Sequence, residues 1–405
     1  MRIRPLFFAL LLGLMASTAA AQSGETATPD VQPRIYPLAL WGSQSGFGFG
    51  AGLSVRNLGW PGSHVLLTAK PAVHQGRYTL SGATHDPYTA PAYGLIDLRY
   101  ETNGNQWYHG IGPGSRSDTR VGLDLTTMAA RLRLGGYVVG RTLLLQPLIG
   151  VLHHETHAVR NEDADARSRL DAASRRALDA ASGELPNAAG EQTGLTYGLS
   201  VSVDTRDRQT LPLRGVHVQG VARRYTELRS ADLQFDRYEL SVAGYLPVSG
   251  YHRFALHARS ALTDPRGDAP LPFYLLPQLD TQTMPGYARD RFYGPDLLHL
   301  RLAYHFPILQ FRDALLAEGM VTADAGAVYS DVFDQFEFNL SFDDVISSDQ
   351  KRYPLRTGAS IGVRIAPLFK DTILFEGALG ISPEGTSVIR LGFATDVRAL
   401  RLLPL

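Results

Sequence analysis

Four groups of residues have types and spacings that could do chemistry. Gly358-Ala-Ser-Ile-Gly362 matches the Gly-x-Ser-x-Gly elbow, which presents a serine nucleophile on a strand-to-helix turn. Here it lies inside a run that alternates like a strand, and no histidine follows Ser360 to complete the usual order of such a triad. His153, His154 and His157 offer imidazoles to a metal, yet no further ligands at matching spacing accompany them. The Gly48-x-Gly-x-Gly52 run lacks the following helix that would aim backbone N–H groups at a phosphate. Asp331, Asp334, Glu337, Asp343 and Asp344 crowd one polar stretch that could take a divalent cation, with a solvated loop as the plainer reading. No enzyme, cofactor or metal centre is expected from these groups.

A fifth stretch is more informative. Thr283-Met-Pro-Gly-Tyr-Ala-Arg-Asp-Arg-Phe-Tyr293 is a polar loop with a Gly-Tyr turn, and it feeds the alternating run Leu298-His-Leu-Arg-Leu-Ala-Tyr-His-Phe306. Such a loop beside such a strand is the pattern of a transmembrane antiparallel β-barrel whose loop folds back into the lumen. The elements that must position it agree. Period-two alternation recurs from Ile35 to Val397, with Phe254, Leu256 and Ala258 set against Arg253, His257 and Arg259. Ile389, Leu391 and Phe393 stand likewise against Arg390 and Gly392. One face suits lipid and the other a wet lumen.

The runs predict an all-β barrel of about sixteen strands, and the loop falls between the eleventh, near 252–263, and the twelfth, near 295–306. Parity slips between Leu125 and Met128, which marks a bulge or a miscounted strand. Tight links at Gly59–Ser63, Gly140–Thr142, Arg206–Arg214, Ser249–Tyr251 and Phe311–Asp313 alternate with long ones at 102–118, 157–193, 264–294 and 327–355. Short turns belong on the periplasmic side and long loops outside. In the second long loop, Leu170, Ala173, Ala177, Leu178 and Ala181 repeat at helical spacing, which predicts a small amphipathic helix that packs on the loop, covers the mouth or binds a partner.

Arg2 and Arg4 ahead of the apolar run Leu6–Met15, then Ala19-Ala20-Ala21, predict a signal peptide over 1–21. A short periplasmic segment over 22–34, the barrel over 35–397 and a tail over 398–405 complete the expected organisation. No stretch reaches the ~20 apolar residues of a spanning helix. The chain has no cysteine, so thiol chemistry and disulfides are excluded, and its 39 basic and 39 acidic residues give no basic excess for nucleic acid. Forty glycines and eighteen tyrosines suit barrel turns and interfaces.

With these residues in place, the chain resembles the barrel domain of the BamA/TamA superfamily, the bacterial surface antigen family. Pro285-Gly286-Tyr287 stands where that family has an Arg-Gly-Phe/Tyr turn tucked into the lumen. Ser45-Gly-Phe-Gly-Phe-Gly-Ala-Gly52 is similar to its opening strands, and Trp107-Tyr-His-Gly-Ile-Gly112 to its entry to a middle loop. Asp204-Thr-Arg206-Asp207, followed by Leu211-Pro-Leu-Arg-Gly215, resembles its periplasmic turn, Ala323-Asp324-Ala-Gly326 its Asp-x-Gly strand and Gly362-Val-Arg-Ile-Ala-Pro367 its Gly-x-Arg…Pro strand.

Two departures qualify the resemblance. The turn arginine, which the family pairs with an acid on a neighbouring strand, is Pro285 here, so Arg289 or Arg291 is expected to reach Asp324, failing which Tyr287 and Phe292 hold the loop by packing. The stretch before the first strand is too short for the family's periplasmic POTRA modules. The resemblance implies a POTRA-less barrel of the Gram-negative outer membrane that aids assembly or translocation of proteins at a laterally weak seam. Its partners would be outer-membrane lipids, lipopolysaccharide, unfolded outer-membrane proteins or a separately encoded periplasmic partner. A passive or plugged channel, a structural barrel and an anchor for a separate passenger are the alternatives.

Overall fold

The computed structural model describes residues 30–42, 46–87, 90–112, 115, 117, 119–160, 169–182, 191–209, 211–229, 232–279, 283–288, 290–312, 314–336, 355–368 and 373–393. The expected signal peptide and C-terminal tail, Arg289, Glu337, Asp343 and Asp344 lie outside them. Among the described residues eighteen strands form, and sixteen of them close into one antiparallel barrel. The first half runs β1 (Gln32–Gly42), β2 (Gly46–Arg56), β3 (His64–Pro71), β4 (Gln75–Ala83), β5 (Ala92–Tyr108), β6 (Val121–Val139), β7 (Leu143–Arg160) and β8 (Glu191–Asp204). The second half runs β9 (Gly215–Glu227), β10 (Gln234–Ser249), β11 (His252–Pro265), β14 (Asp296–Phe311), β15 (Leu315–Tyr329), β16 (Arg356–Pro367), β17 (Phe375–Ser382) and β18 (Gly385–Phe393). Between β11 and β14, β12 (Gln278–Leu279) and β13 (Phe292–Tyr293) make a separate two-stranded ladder.

Each barrel strand pairs with the next barrel strand in sequence, β11 with β14 across the β12–β13 ladder, and the ring is completed between β1 and β18 with Leu40 opposite Gly392. Pairing is continuous from Leu125 to Met128, where the sequence suggested a slip; the irregularity falls just before it, between Leu123 and Leu125 on β6, close to one between Asn103 and Gln106 on β5. Several strands run past their expected ends, most of all β5, which continues to Tyr108.

Alternation sorts the two faces. Phe254, Leu256, Leu300, Leu302, Val321, Ile361 and Leu379 are exposed around the outside, while Arg253, His305 and Glu318 on strands among these are buried inside. Burial of an apolar core between layers therefore does not hold this wall together; ladder hydrogen bonds and lipid contact do. Among the described residues no helix is long and apolar enough to cross a membrane, a fact that does not bear on strands.

The larger apolar clusters lie in segments that enter the lumen from the long-loop end, apart from a smaller one of Ala83, Tyr93, Leu95 and Leu144 on β4, β5 and β7. Phe273, Leu276, Leu279, Met284, Tyr287, Phe292 and Tyr293 from the β11–β14 connection are buried against Tyr108, Val121, Leu123, Leu297 and Val328 of the wall. A helix, α1 (Ala172–Ser182), lies over them with Leu170, Ala177 and Leu178 in the same cluster. The predicted helix thus forms and packs on the loop, although Ala173 is exposed and Ser174 takes its place on the buried face. A second short helix, α2 (Val332–Gln335), is capped by Asp331, whose Oδ1 accepts the Phe333 N–H at 2.9 Å.

Candidate functional site

The loop between β11 and β14 is the site, and its local sequence explains its path. Pro272 precedes a single 3₁₀ turn, Phe273–Leu275, which is buried and held by Arg237 of β10 donating to the Leu275 carbonyl. Tyr274 donates its hydroxyl to Gln192 Oε1 on β8 at 2.8 Å. The chain then forms one arm of the small ladder, turns through Met284-Pro285-Gly286-Tyr287 and returns through Phe292–Tyr293.

The turn meets the wall where the wall has no side chains. Gly286 has φ +86°, a left-handed conformation that favours glycine, and a Cβ there would lie 2.2 Å from the Ile381 carbonyl carbon and the Ser382 nitrogen of β17. On the wall side, a Cβ on Gly358 of β16 would lie 2.4 Å from the Pro285 oxygen, and one on Gly380 of β17 2.5 Å from the Gly286 nitrogen. The Gly286 N–H donates to Ser387 Oγ of β18 at 2.9 Å. Backbone therefore packs on backbone, and the loop tip is seated on the last three strands before the seam.

Charge fixes the rest of the loop. Arg291 is 1% exposed and donates through Nε and Nη2 to the Glu384 carboxylate in the β17–β18 turn, at 2.9 and 2.8 Å. Its remaining donors reach Ser115 Oγ at 3.0 Å and the Ser115 carbonyl at 3.2 Å. The same guanidinium lies over the Phe292 ring at 4.5 Å, and Arg356 approaches that ring at 5.5 Å. Phe292 in turn meets Tyr287 edge-on at 5.0 Å between centroids. Burial, with the Glu384 carboxylate nearby, pushes the Tyr287 hydroxyl up to about 12.

The expected pair between Arg291 and Asp324 is not made. Asp324 on β15 accepts instead from Arg301 Nε at 2.6 Å, His299 Nε2 at 3.0 Å and Thr322 Oγ1 at 2.8 Å. Arg301 stands directly across the ladder from Asp324, so the cation is supplied by the wall rather than the loop. Its Nη2 also donates to the Thr283 carbonyl at 3.4 Å, which puts the wall arginine in contact with the start of the turn. Proline at 285 is compatible with this arrangement because no side-chain cation is needed there. Arg301 was visible in the alternating run, but its partner depends on strand register, which periodicity does not carry.

The other motif residues each support this frame. In the β8–β9 turn, Arg206 donates through Nε and Nη2 to Asp204 at 2.9 and 2.6 Å, and Asp207 Oδ1 accepts the Arg208, Leu213 and Arg214 N–H groups. Gly215 has φ +106°, and a Cβ there would lie 2.5 Å from the Thr205 oxygen. In the middle-loop entry, Gly112 N–H donates to the Tyr293 carbonyl at 2.6 Å and Ile111 N–H to Ser174 Oγ at 2.9 Å, joining plug, wall and α1. Ser360 shares a hydrogen bond with Thr322 Oγ1 at 2.7 Å within adjoining strands, so its motif is wall and not a catalytic elbow. His153 meets Thr193 and His154 meets Thr127, adjacent residues on opposite faces of β7; the His157 side chain is outside the described set.

A closed barrel of sixteen strands with its core supplied by the loop between the eleventh and twelfth decides the architecture. The fold is that of a BamA-like outer-membrane barrel. It superposes on BamA from Haemophilus ducreyi lacking POTRA domains 1–3 with a TM-score of 0.60 and 15% identity, covering 90% of this chain and 69% of that one. CdiB from Escherichia coli gives 0.56 at 13% identity over 91% of this chain and 64% of its own, and CdiB from Acinetobacter baumannii 0.50 at 11% over 91% and 61%. The chain thus spans about two thirds of the length of these structures. No family model and no curated protein matches the sequence. At these identities the BamA-like likeness is one of fold.

Proposed function

We propose that this outer-membrane barrel aids the assembly or translocation of outer-membrane proteins through a seam between β1 and β18, and that the lumen loop holds the seam strands closed. The observation that carries this reading is the seating of the loop: Gly286 is hydrogen-bonded to Ser387 of β18, and Arg291 is bound to Glu384 in the turn that begins β18. Among the described residues, β1 meets β18 at Leu40 opposite Gly392, whereas β17 pairs with β18 along its whole length. An opened seam would bare unpaired N–H and C=O groups, which template an incoming strand by β-augmentation. Short turns face the periplasm and long loops the exterior in this reading, with residues 1–21 removed on export. Partners are lipids and lipopolysaccharide around the wall, and an unfolded outer-membrane protein or a separately encoded periplasmic partner at the seam.

The test uses the absence of native cysteine. Leu40→Cys with Gly392→Cys places one oxidisable pair across the seam. Reconstituted barrel should accelerate insertion of an unfolded outer-membrane protein into liposomes when reduced and stop doing so when oxidised. Acceleration that survives locking, or none in either state, removes the proposal. Conductance then separates the channel alternative: a steady open pore with the loop intact would favour it.

A further inference from the structure

Two short turns touch and carry more cations than anions. The β6–β7 turn holds Arg141, and the β8–β9 turn holds Arg206, Arg208 and Arg214 against Asp204 and Asp207. The Asp204 N–H donates to the Thr142 carbonyl at 2.9 Å, which sets the two turns side by side. Arg206 engages the Asp204 carboxylate, with 2.6 Å between Nη2 and Oδ2. Asp207 Oδ1 is occupied by the backbone of its own turn, accepting the N–H groups of Arg208, Leu213 and Arg214 at 2.9, 2.9 and 3.3 Å. Arg208 and Arg214 are exposed, and among the described residues neither guanidinium has a hydrogen bond or an ion pair. A guanidinium stays charged in a protein, so its donors turn to water or to an anion from outside.

The turn also holds these two arginines together. Their N–H groups donate to one and the same Asp207 oxygen, so the backbones of Arg208 and Arg214 are neighbours. The Asp207 N–H closes the frame on the Arg214 carbonyl at 3.2 Å, and Gly215 at φ +106° leads the chain out of it. The wall beside the turns is apolar. Val138 of β6, Leu145 of β7, Val203 of β8 and Val216 of β9 are exposed, alternating with the buried Leu144 and Ser202. The β8–β9 turn departs from Val203 and returns at Val216, so the apolar band ends directly in the arginines. A band of exposed apolar side chains bordered by cations matches the two parts of an anionic phospholipid, its acyl chains and its phosphodiester. The guanidinium fork is the cation that pairs with phosphate through two donors at once. An acidic protein would answer the charge and leave the apolar band unused.

We propose that Arg208 and Arg214, with Arg141 beside them, bind the headgroup phosphate of an anionic phospholipid whose chains lie on Val138, Leu145, Val203 and Val216. The site rests on the reading that short turns face the periplasm, and it stands whether or not the seam opens. The refolded full chain in neutral detergent is titrated with phosphatidylglycerol or phosphatidylcholine of equal chain length, and bound lipid is counted by native mass spectrometry. Phosphatidylglycerol should bind the more tightly. Arg208→Gln with Arg214→Gln should weaken it by about 25-fold, about 5-fold for each cation removed, and leave phosphatidylcholine unchanged. Arg176→Gln, at an exposed arginine of α1 at the long-loop end, should change neither. Equal binding of the two lipids overturns the site and leaves the arginines to an acidic protein. Displacement of the lipid by glycerol phosphate, which has no chains, would reassign them to a soluble anion and overturn it equally. If the double variant does not refold, the unchanged chain decides: its preference for phosphatidylglycerol must shrink between low and high salt, and a salt-independent preference overturns the role of the arginines. Sidedness is read separately. Thr142→Cys, in a chain without native cysteine, should react with a membrane-impermeant maleimide only after the outer membrane is permeabilised. Labelling in intact cells overturns the periplasmic placement of the turns, whatever the lipids do in detergent.

Discussion

Replacing Arg291 by methionine should release the lumen loop. The guanidinium is 1% exposed and makes four hydrogen bonds, two to Glu384 and two to Ser115. Removing one partner of a buried ion pair costs roughly 3–5 kcal/mol. Glu384 keeps 15% side-chain exposure and can regain water, which places the expected cost near the lower end, ~3 kcal/mol. Glu384→Gln keeps an acceptor and its volume, so ~1–2 kcal/mol is expected for the loss of charge. The double variant should cost no more than Arg291→Met alone, because without the cation a neutral glutamine is the easier group to leave behind. Hydrogen exchange of peptides spanning 271–294 reads this directly: ~3 kcal/mol is about a 100-fold increase in the open population, and the 383–384 turn should loosen with it. Loop exchange within a few-fold of the unchanged protein, or strictly additive single effects, would refute the latch.

Gly286→Val, Gly358→Val and Gly380→Val should each unseat the tip, since each Cβ falls 2.2–2.5 Å from backbone; the readout is single-channel conductance, expected to rise in all three and to match deletion of 281–291. Asp324→Asn should couple to Arg301→Gln by ~1–3 kcal/mol in a double-mutant cycle on loop exchange and be additive with Arg291→Met; coupling to Arg291 instead would contradict the observed pairing. Tyr287 supplies a pH signature. Its folded value of about 12 lies above the ordinary ~10 of a free tyrosine, so the native state holds the proton longer. The stabilisation of roughly 2–3 kcal/mol is complete below pH ~10 and is lost as pH rises through ~12. Hydrogen exchange across that window should show loop release in the unchanged protein and no such step in Tyr287→Phe.

The wall was legible because each strand has to satisfy lipid on one side and water on the other, and that demand writes period two into the residues. Arg253 and Phe254 declare their faces without reference to any other strand. Pairing is a different matter. Arg301 and Asp324 are joined by the β14–β15 register, and Arg291 finds Glu384 in a turn too short to carry a pattern. Gly358 shows the same limit: within Gly-x-Ser-x-Gly it has the letters of a nucleophile elbow, while its physical reason is the approach of the Pro285 carbonyl. A glycine required by another segment's backbone cannot be told from one required by its own turn until both segments are in place.

That seating also constrains how the barrel could open. Met284, Tyr287 and Phe292 of the plug pack with Leu297 and Val328 of the wall, so displacing the loop removes both that cluster and the bonds that tie β18 inward. The seam strand and the plug are therefore one mechanical unit. Opening β18 outward with the tip still bound would stretch the Gly286–Ser387 hydrogen bond and pull Glu384 from Arg291, leaving a buried guanidinium without its carboxylate. Loop release before seam opening avoids that intermediate. A cross-link between the loop tip and β17, leaving β18 itself unmodified, should then block seam opening as effectively as a cross-link across the seam. Free seam opening with the tip so fixed would show that the loop is only filling.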